Sequence, residues 1–163
     1  MKTFSKIILI SGLLLFNTYG IKAQTTNTKL NQVELMKQFV GSWKSEMGKD
    51  TIITGENTAF GNGLICNSQI IARGKIINSI KQLFGYDKKI DKFIVAELIE
   101  SSPVIEMCEV WFTSKNKGEL IITNPANVAL KYKFEFKTPD MIVQTALEGD
   151  KVIKDITLTR VKE

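Results

Sequence analysis

From Ser42 to the C-terminus the chain is interrupted by turn-forming clusters at short, fairly even intervals: "MGKD", "GNG", "ARGK", "YDKKIDK", "SSP", "SKNKG", "NPAN", "KTPD" and "EGDK". Gly, Pro, Asn, Asp and Ser take up turn conformations that other residues resist, so each cluster ends one segment and starts the next. Between clusters the period is 2. The clearest case is "LKYKFEFK", where Leu130, Tyr132, Phe134 and Phe136 face one way and Lys131, Lys133, Glu135 and Lys137 the other. Parallel pairing needs a crossover of a dozen or more residues, and no interval here leaves room for one. About ten consecutive antiparallel strands follow. They can close into an up-and-down barrel or stack as two sheets, and closure removes the exposed edges that invite aggregation. The expected fold is therefore all-β: an antiparallel up-and-down barrel of about ten strands.

Upstream the period changes. In "NQVELMKQFV", residues 31–40, Val33, Met36 and Val40, with Leu35 and Phe39, recur at helical spacing. Asn31 and Glu34 stand as N-cap and N3 of a capping-box-like start, and Gly41 is expected to end the helix. One short N-terminal helix should thus plug one end of the barrel.

Residues 1–23 have the layout of a cleaved signal peptide: Lys2 and Lys6, then the apolar run "IILISGLLLF", then small residues in "NTYGIKAQ". A membrane span needs about 20 apolar residues, and Asn17 and Thr18 interrupt this run too early. Cleavage after Gly20 or Ala23 exposes no cysteine, so the expected product is an exported protein, periplasmic or secreted, that is not a lipoprotein and has no membrane span. Residues 24–30 read as a flexible N-terminus and 31–163 as a single barrel domain, in keeping with 163 residues of which 44% are hydrophobic.

Removing two or three signal-segment lysines takes the net charge from +5 to +3 or +2, too weak a basic excess for a nucleic-acid footprint. The chain has no histidine, which excludes Ser-His-Asp and Cys-His nucleophile activation, the usual zinc sites and a proximal histidine for haem. No cofactor and no metal are expected. Cys66 and Cys108 fall on the third and sixth strands, three spacings of about 4.8 Å apart, whereas a disulfide needs Cα atoms within about 7 Å. They are expected to stay reduced.

Four carboxylates crowd one hairpin, Glu97 and Glu100 before "SSPV" and Glu106 and Glu109 after it. Parity groups Glu97 with Phe93, Val95 and Ile99, and Glu106 with Cys108, Val110 and Phe112. The opposite faces, Ile94, Ala96 and Leu98 against Met107 and Trp111, are nearly as apolar, so parity alone leaves the inward face open. A paired-carboxylate hydrolase would need two inward carboxylates about 5 to 9.5 Å apart. A single inward glutamate would instead hydrogen-bond a polar ligand or an internal arginine, and the remaining reading is that these glutamates are solvated residues of the mouth. The candidate ligand-binding residues are Phe93, Val95, Glu97, Val110, Phe112, Tyr132, Phe134 and Phe136. Counting alternate turns puts the lysine-bearing loops "YDKKIDK", "SKNKG" and "KTPD" at the end that holds the helix, where they read as a solvated surface.

"FVGSWK" after a short helix resembles the Gly-x-Trp opening of the lipocalin and fatty-acid-binding-protein superfamily, the calycins. The resemblance implies that Trp43 closes the barrel floor and that Arg160, in the last segment "DITLTRVKE", packs across its ring, with Gly41, Trp43 and Arg160 forming the barrel closure. The topology agrees: in a ten-strand meander the first strand begins where the last one ends. "LFGYDKKIDKFIVAE" also resembles a stretch of the uncharacterised lipocalin-like bacterial family DUF1579. The "MGKD" loop has no room for the helical pair that caps fatty-acid-binding proteins. The resemblance implies a non-enzymatic barrel that binds a small apolar or amphipathic molecule inside. The alternative is an inhibitor-like barrel that binds a protein through the loops "MGKD", "ARGK", "ESSPV", "NPAN" and "EGDK".

Overall fold

The computed structural model describes residues 29–126 and 128–162. The reading of residues 1–23 as an export signal lies outside them. Ten strands follow one another: β1 (Gly41–Gly48), β2 (Thr51–Phe60), β3 (Gly63–Ala72), β4 (Lys75–Asp87), β5 (Lys92–Ile99), β6 (Ile105–Phe112), β7 (Lys117–Asn124), β8 (Leu130–Thr138), β9 (Met141–Glu148) and β10 (Lys151–Arg160). Each pairs antiparallel with its neighbours in sequence, and β10 returns to pair with β1, so the sheet closes as an up-and-down barrel. Closure satisfies the ladder of both terminal strands and leaves no free edge.

The helix α1 (Gln32–Met36) begins as its sequence indicates: the Asn31 side chain accepts a hydrogen bond from the Glu34 backbone N–H at 3.1 Å. Glu34 does not complete the capping box; its carboxylate takes Lys37 at 2.7 Å instead. The end of the helix differs from expectation. It tightens into a 3₁₀ turn over Lys37–Phe39, and Gly41 is not its cap but the first residue of β1. What demands glycine there is a φ of +112° together with the Arg160 guanidinium, whose Nη1 would lie 2.7 Å from an added Cβ. Of the stretch read as a flexible N-terminus, Lys29 pairs with Asp91 at 3.2 Å and Leu30 packs against the core.

Odd-numbered residues face inward on β1, β2 and β5, and even-numbered ones on β3, β4 and β6 to β10. On β5 and β6 the question left open by the sequence is settled: Phe93, Val95, Cys108, Val110 and Phe112 are buried inside, with Glu97 and Glu106 on the same faces. At the helix end Phe39 enters the barrel and meets Phe112, Phe134 and Phe136 with ring centroids 6.0, 5.3 and 4.9 Å away. These are the tilted and edge-on contacts that aromatic quadrupoles favour. The lysine-bearing loops lie at this end, as the turn count indicates, with Gln38 donating to the Lys115 carbonyl at 3.0 Å.

Register breaks are concentrated at the other end. Five strand pairs carry an extra residue, and four of these, Met47, Ile77, Thr123 and Ile153, sit near the mouth; only Lys137 sits near the floor.

Candidate functional site

Two constructions share the interior. The first is the floor. Trp43 is 3% exposed, Arg160 is its Cα partner across the β1–β10 ladder, and the guanidinium carbon stands 4.2 Å over the indole ring. The indole N–H donates to the Phe39 carbonyl at 2.7 Å. Arg160 donates to the carbonyls of Val40, Gln38 and Pro139 and pairs with Asp140 at 3.2 Å. One guanidinium thereby caps the end of the plug and the β8–β9 turn together, a task suited to its five rigid donors. Gln32 adds a second clasp: it accepts from the Phe112 N–H at 2.7 Å and donates to the Phe112 carbonyl at 3.0 Å.

The second construction lies above the floor. A partly open cavity of about 180 Å³ lies between the plug and the strands. Apolar side chains, among them Val110, Leu120, Phe134, Ile142 and Leu158, form one wall. Asn57, Cys66, Ser68 and Gln82 face them from β2, β3 and β4. Cross-strand register explains this polar side. Asn57 pairs with Cys66, Cys66 with Gln82, Gln82 with Glu97, and Glu97 with Glu106, so a single row of inward side chains crosses five strands. Because strands in a closed barrel tilt against its axis, such a row climbs from near the floor to the mouth.

Its electrostatics are those of two half-buried acids paired across the β5–β6 ladder. The Gln82 amide donates to the Glu97 carboxylate. Burial pushes the Glu97 carboxyl above its ordinary value; the Gln82 hydrogen bond opposes this and the Glu106 charge adds to it. Cys108 is pushed up to about 11 by burial and then by Glu97 and Glu106. Burial also raises Cys66 against a lowering hydrogen bond from Ser68, and raises Tyr132, to which both glutamates contribute. Neither thiol is poised as a nucleophile, since the thiolate is disfavoured in both. Both are free, each buried on its own strand. Ser45, 3% exposed and opposite the cavity-lining Ile53, has the one buried side-chain oxygen without a hydrogen-bond partner among the described residues.

Of the eight side chains the sequence nominates for ligand contact, Val110 and Phe134 line the cavity. Phe93, Val95, Phe112 and Phe136 are fully buried in the core. Glu97 and Tyr132 are half-buried on inward faces. The nomination missed Asn57, Ser68, Gln82 and Gln144, all on the cavity wall. For Gln82 a trace was present, because it shares parity with Phe84 and Tyr86, both packed on the core. Among the described residues no three metal-ligating side chains converge. No helix among them is long and apolar enough to cross a membrane. No family model matches the chain, and neither does any curated protein.

Proposed function

We propose that this chain is an exported, calycin-like barrel that binds a small amphipathic molecule in its interior without transforming it. The observation that carries the reading is the cavity itself: a mainly apolar lining into which Asn57, Ser68, Gln82 and Gln144 converge, with Gln82 also donating to Glu97. Ligand sites join an apolar lining to a few converging polar groups in this way. A dry apolar cavity of about 150 Å³ accepts a benzene-sized ring, so about 180 Å³ calls for a ligand of that order. Gln82 lines the cavity and holds Glu97, whose carboxylate favours a ligand that offers a hydrogen-bond donor or a cation. A half-buried carboxyl pushed above its ordinary value by desolvation costs stability at neutral pH, which a ligand's donor or cation would offset. The likeness of "FVGSWK" and "LFGYDKKIDKFIVAE" to calycins and DUF1579 supports the same reading.

Without histidine and with both thiols pushed up, the interior has no activated nucleophile, which supports the non-enzymatic reading. Native mass spectrometry of the protein before and after organic extraction tests the proposal. The expected result is an added mass of a small organic molecule that extraction removes. An unladen protein whose melting temperature responds to no member of a panel of small ring amines, alcohols and acids would overturn it.

A further inference from the structure

On β5 and β6 the outward faces are nearly as apolar as the inward ones, which a solvated wall does not require. Leu83, Leu98 and Ile105 are 52%, 47% and 50% exposed and stand on the adjoining strands β4, β5 and β6. Ile94, Ala96 and Met107 lie between them on the same outer face, so the apolar surface is continuous. Other exposed apolar side chains, such as Phe60, Ile76, Ile90 and Val152, sit at or beside turns. Elsewhere the outer wall is polar: β8 turns out Lys131, Lys133, Glu135 and Lys137, and β2 turns out Thr54, Glu56 and Thr58.

Cross-strand register arranges this apolar wall in levels. From the floor upward they are Asp87 with Lys92, Gly85 with Ile94 and Glu109, Leu83 with Ala96 and Met107, and Lys81 with Leu98 and Ile105. Lys92 stands 4.0 Å over the Trp111 ring and pairs with Glu109 at 2.6 Å, so those two charges are neutralised within the wall. Lys81 and Asp87 have no ion-pair partner among the described residues. A Cβ added at Gly85 would meet nothing within 4 Å, which leaves a hollow beside the projecting Leu83.

We infer that this wall pairs with the same wall of a second copy, about a two-fold axis that crosses the strands at the level of Phe84, Val95 and Cys108. Such an axis reverses the order of the levels between the two copies. Leu83 then stands over the Gly85 hollow of the second copy, Ala96 over its Ile94, and Ile105 over its Trp111. Lys81 stands over Asp87 of the second copy, and symmetry repeats that pair, so the two lone charges of each chain answer one another. An isologous contact requires this self-complementarity, and packed sheets keep their strands within about 30° of alignment, as the register needs. A lipid surface gives no reason for a lone cation and a lone anion to lie at equal distances from one axis. Three strands about 4.8 Å apart, with their margins, present roughly 400 Å², about half of what a standard interface takes from each partner. The dimer is therefore expected to be weak and concentration-dependent. Pairing through the wall needs no cavity ligand, so its failure leaves the proposed function intact.

The barrel closes within residues 29–162, so the test uses residues 24–163, the expected exported form. Analytical ultracentrifugation from micromolar to millimolar concentration is expected to show a monomer–dimer equilibrium and no larger species. Leu83→Glu combined with Leu98→Glu should weaken association about tenfold or more. Ile153→Asp, on a different strand and 52% exposed in the parent, should leave it unchanged. Lys81→Glu alone and Asp87→Lys alone should each associate less than the parent, because like charges then meet. An equal mixture of these two variants should recover association, because every such contact again joins opposite charges. Circular dichroism confirms that each variant is folded. A parent chain that stays monomeric throughout, association that survives the folded Leu83→Glu and Leu98→Glu variant, or a mixture that associates no better than its components would overturn the inference.

Discussion

The two ends of the barrel are made of the same kind of strand and differ in how their polar groups are treated. At the floor each is answered: the Trp43 N–H reaches the Phe39 carbonyl, the Asn57 amide reaches the same carbonyl at 2.8 Å, and Gln32 is paired at both ends. Toward the mouth the register breaks more often and Glu97 sits away from its ordinary ionisation, while apolar side chains stand in water at both ends, Ile77 and Ile153 at the mouth and Phe60 and Ile90 at the floor. The mid-wall Ser45 hydroxyl has no partner. A region optimised for stability satisfies its polar groups and buries its apolar ones. The floor therefore holds the fold, and the interior above it is where we propose that a ligand binds.

The comparison breaks most readily at the floor. Trp43→Ala removes a buried ring and the support of Arg160, and should destabilise by about 3 to 5 kcal/mol in urea denaturation. A loss under 1 kcal/mol would mean that the floor is not the stabilising end. Arg160→Ala, which strands three carbonyls as well as the indole face, should cost roughly 1 to 3 kcal/mol. Arg160→Lys should recover little of it, because an ammonium cannot span the plug and the β8–β9 turn together.

Toward the mouth the sign reverses. With its carboxyl raised above an ordinary 4.5, Glu97 keeps its proton in the folded chain over a range where the unfolded chain has lost it. The folded state then binds more protons, so this group's contribution to stability falls as pH rises through that range. Glu97→Gln should be more stable than the parent at neutral pH, with the advantage shrinking as pH falls toward 4.5 and levelling off below it, as read from melting temperatures across a pH series. A variant less stable at neutral pH would count against a strained carboxyl. The smallest effect belongs to the rim: Ile77→Asp should change stability by less than about 0.5 kcal/mol, since its side chain is already in water. A larger loss would show that Ile77 is packed.

The strand count, the closure and the pairing of Trp43 with Arg160 were legible because turn residues and two-residue alternation act locally, and because topology brings the first and last strands together. The inward face of β5 and β6 was not, since Ile94, Ala96 and Leu98 are as apolar as Phe93, Val95 and Ile99; only packing inside a closed wall separates them. The polar row was hidden for a related reason. Asn57 and Gln82 look like solvent-facing positions in their own strands, and the line they form with Glu97 and Glu106 exists only across strands, in a register set by four separate turns. Gly41 was placed correctly at the junction but for the wrong duty, because a close approach by a residue 119 positions away leaves no local trace.

We propose that Glu97 is kept at a cost to stability because it serves a ligand, and the decisive experiment is calorimetric titration of benzylamine into the parent chain and into Glu97→Gln at neutral pH. Benzylamine offers a ring matched to the cavity and a cation matched to the acids. The account predicts measurable binding by the parent and binding weaker by about tenfold in Glu97→Gln, the more stable of the two proteins. Equal affinity in both, or no binding by the parent, would contradict it.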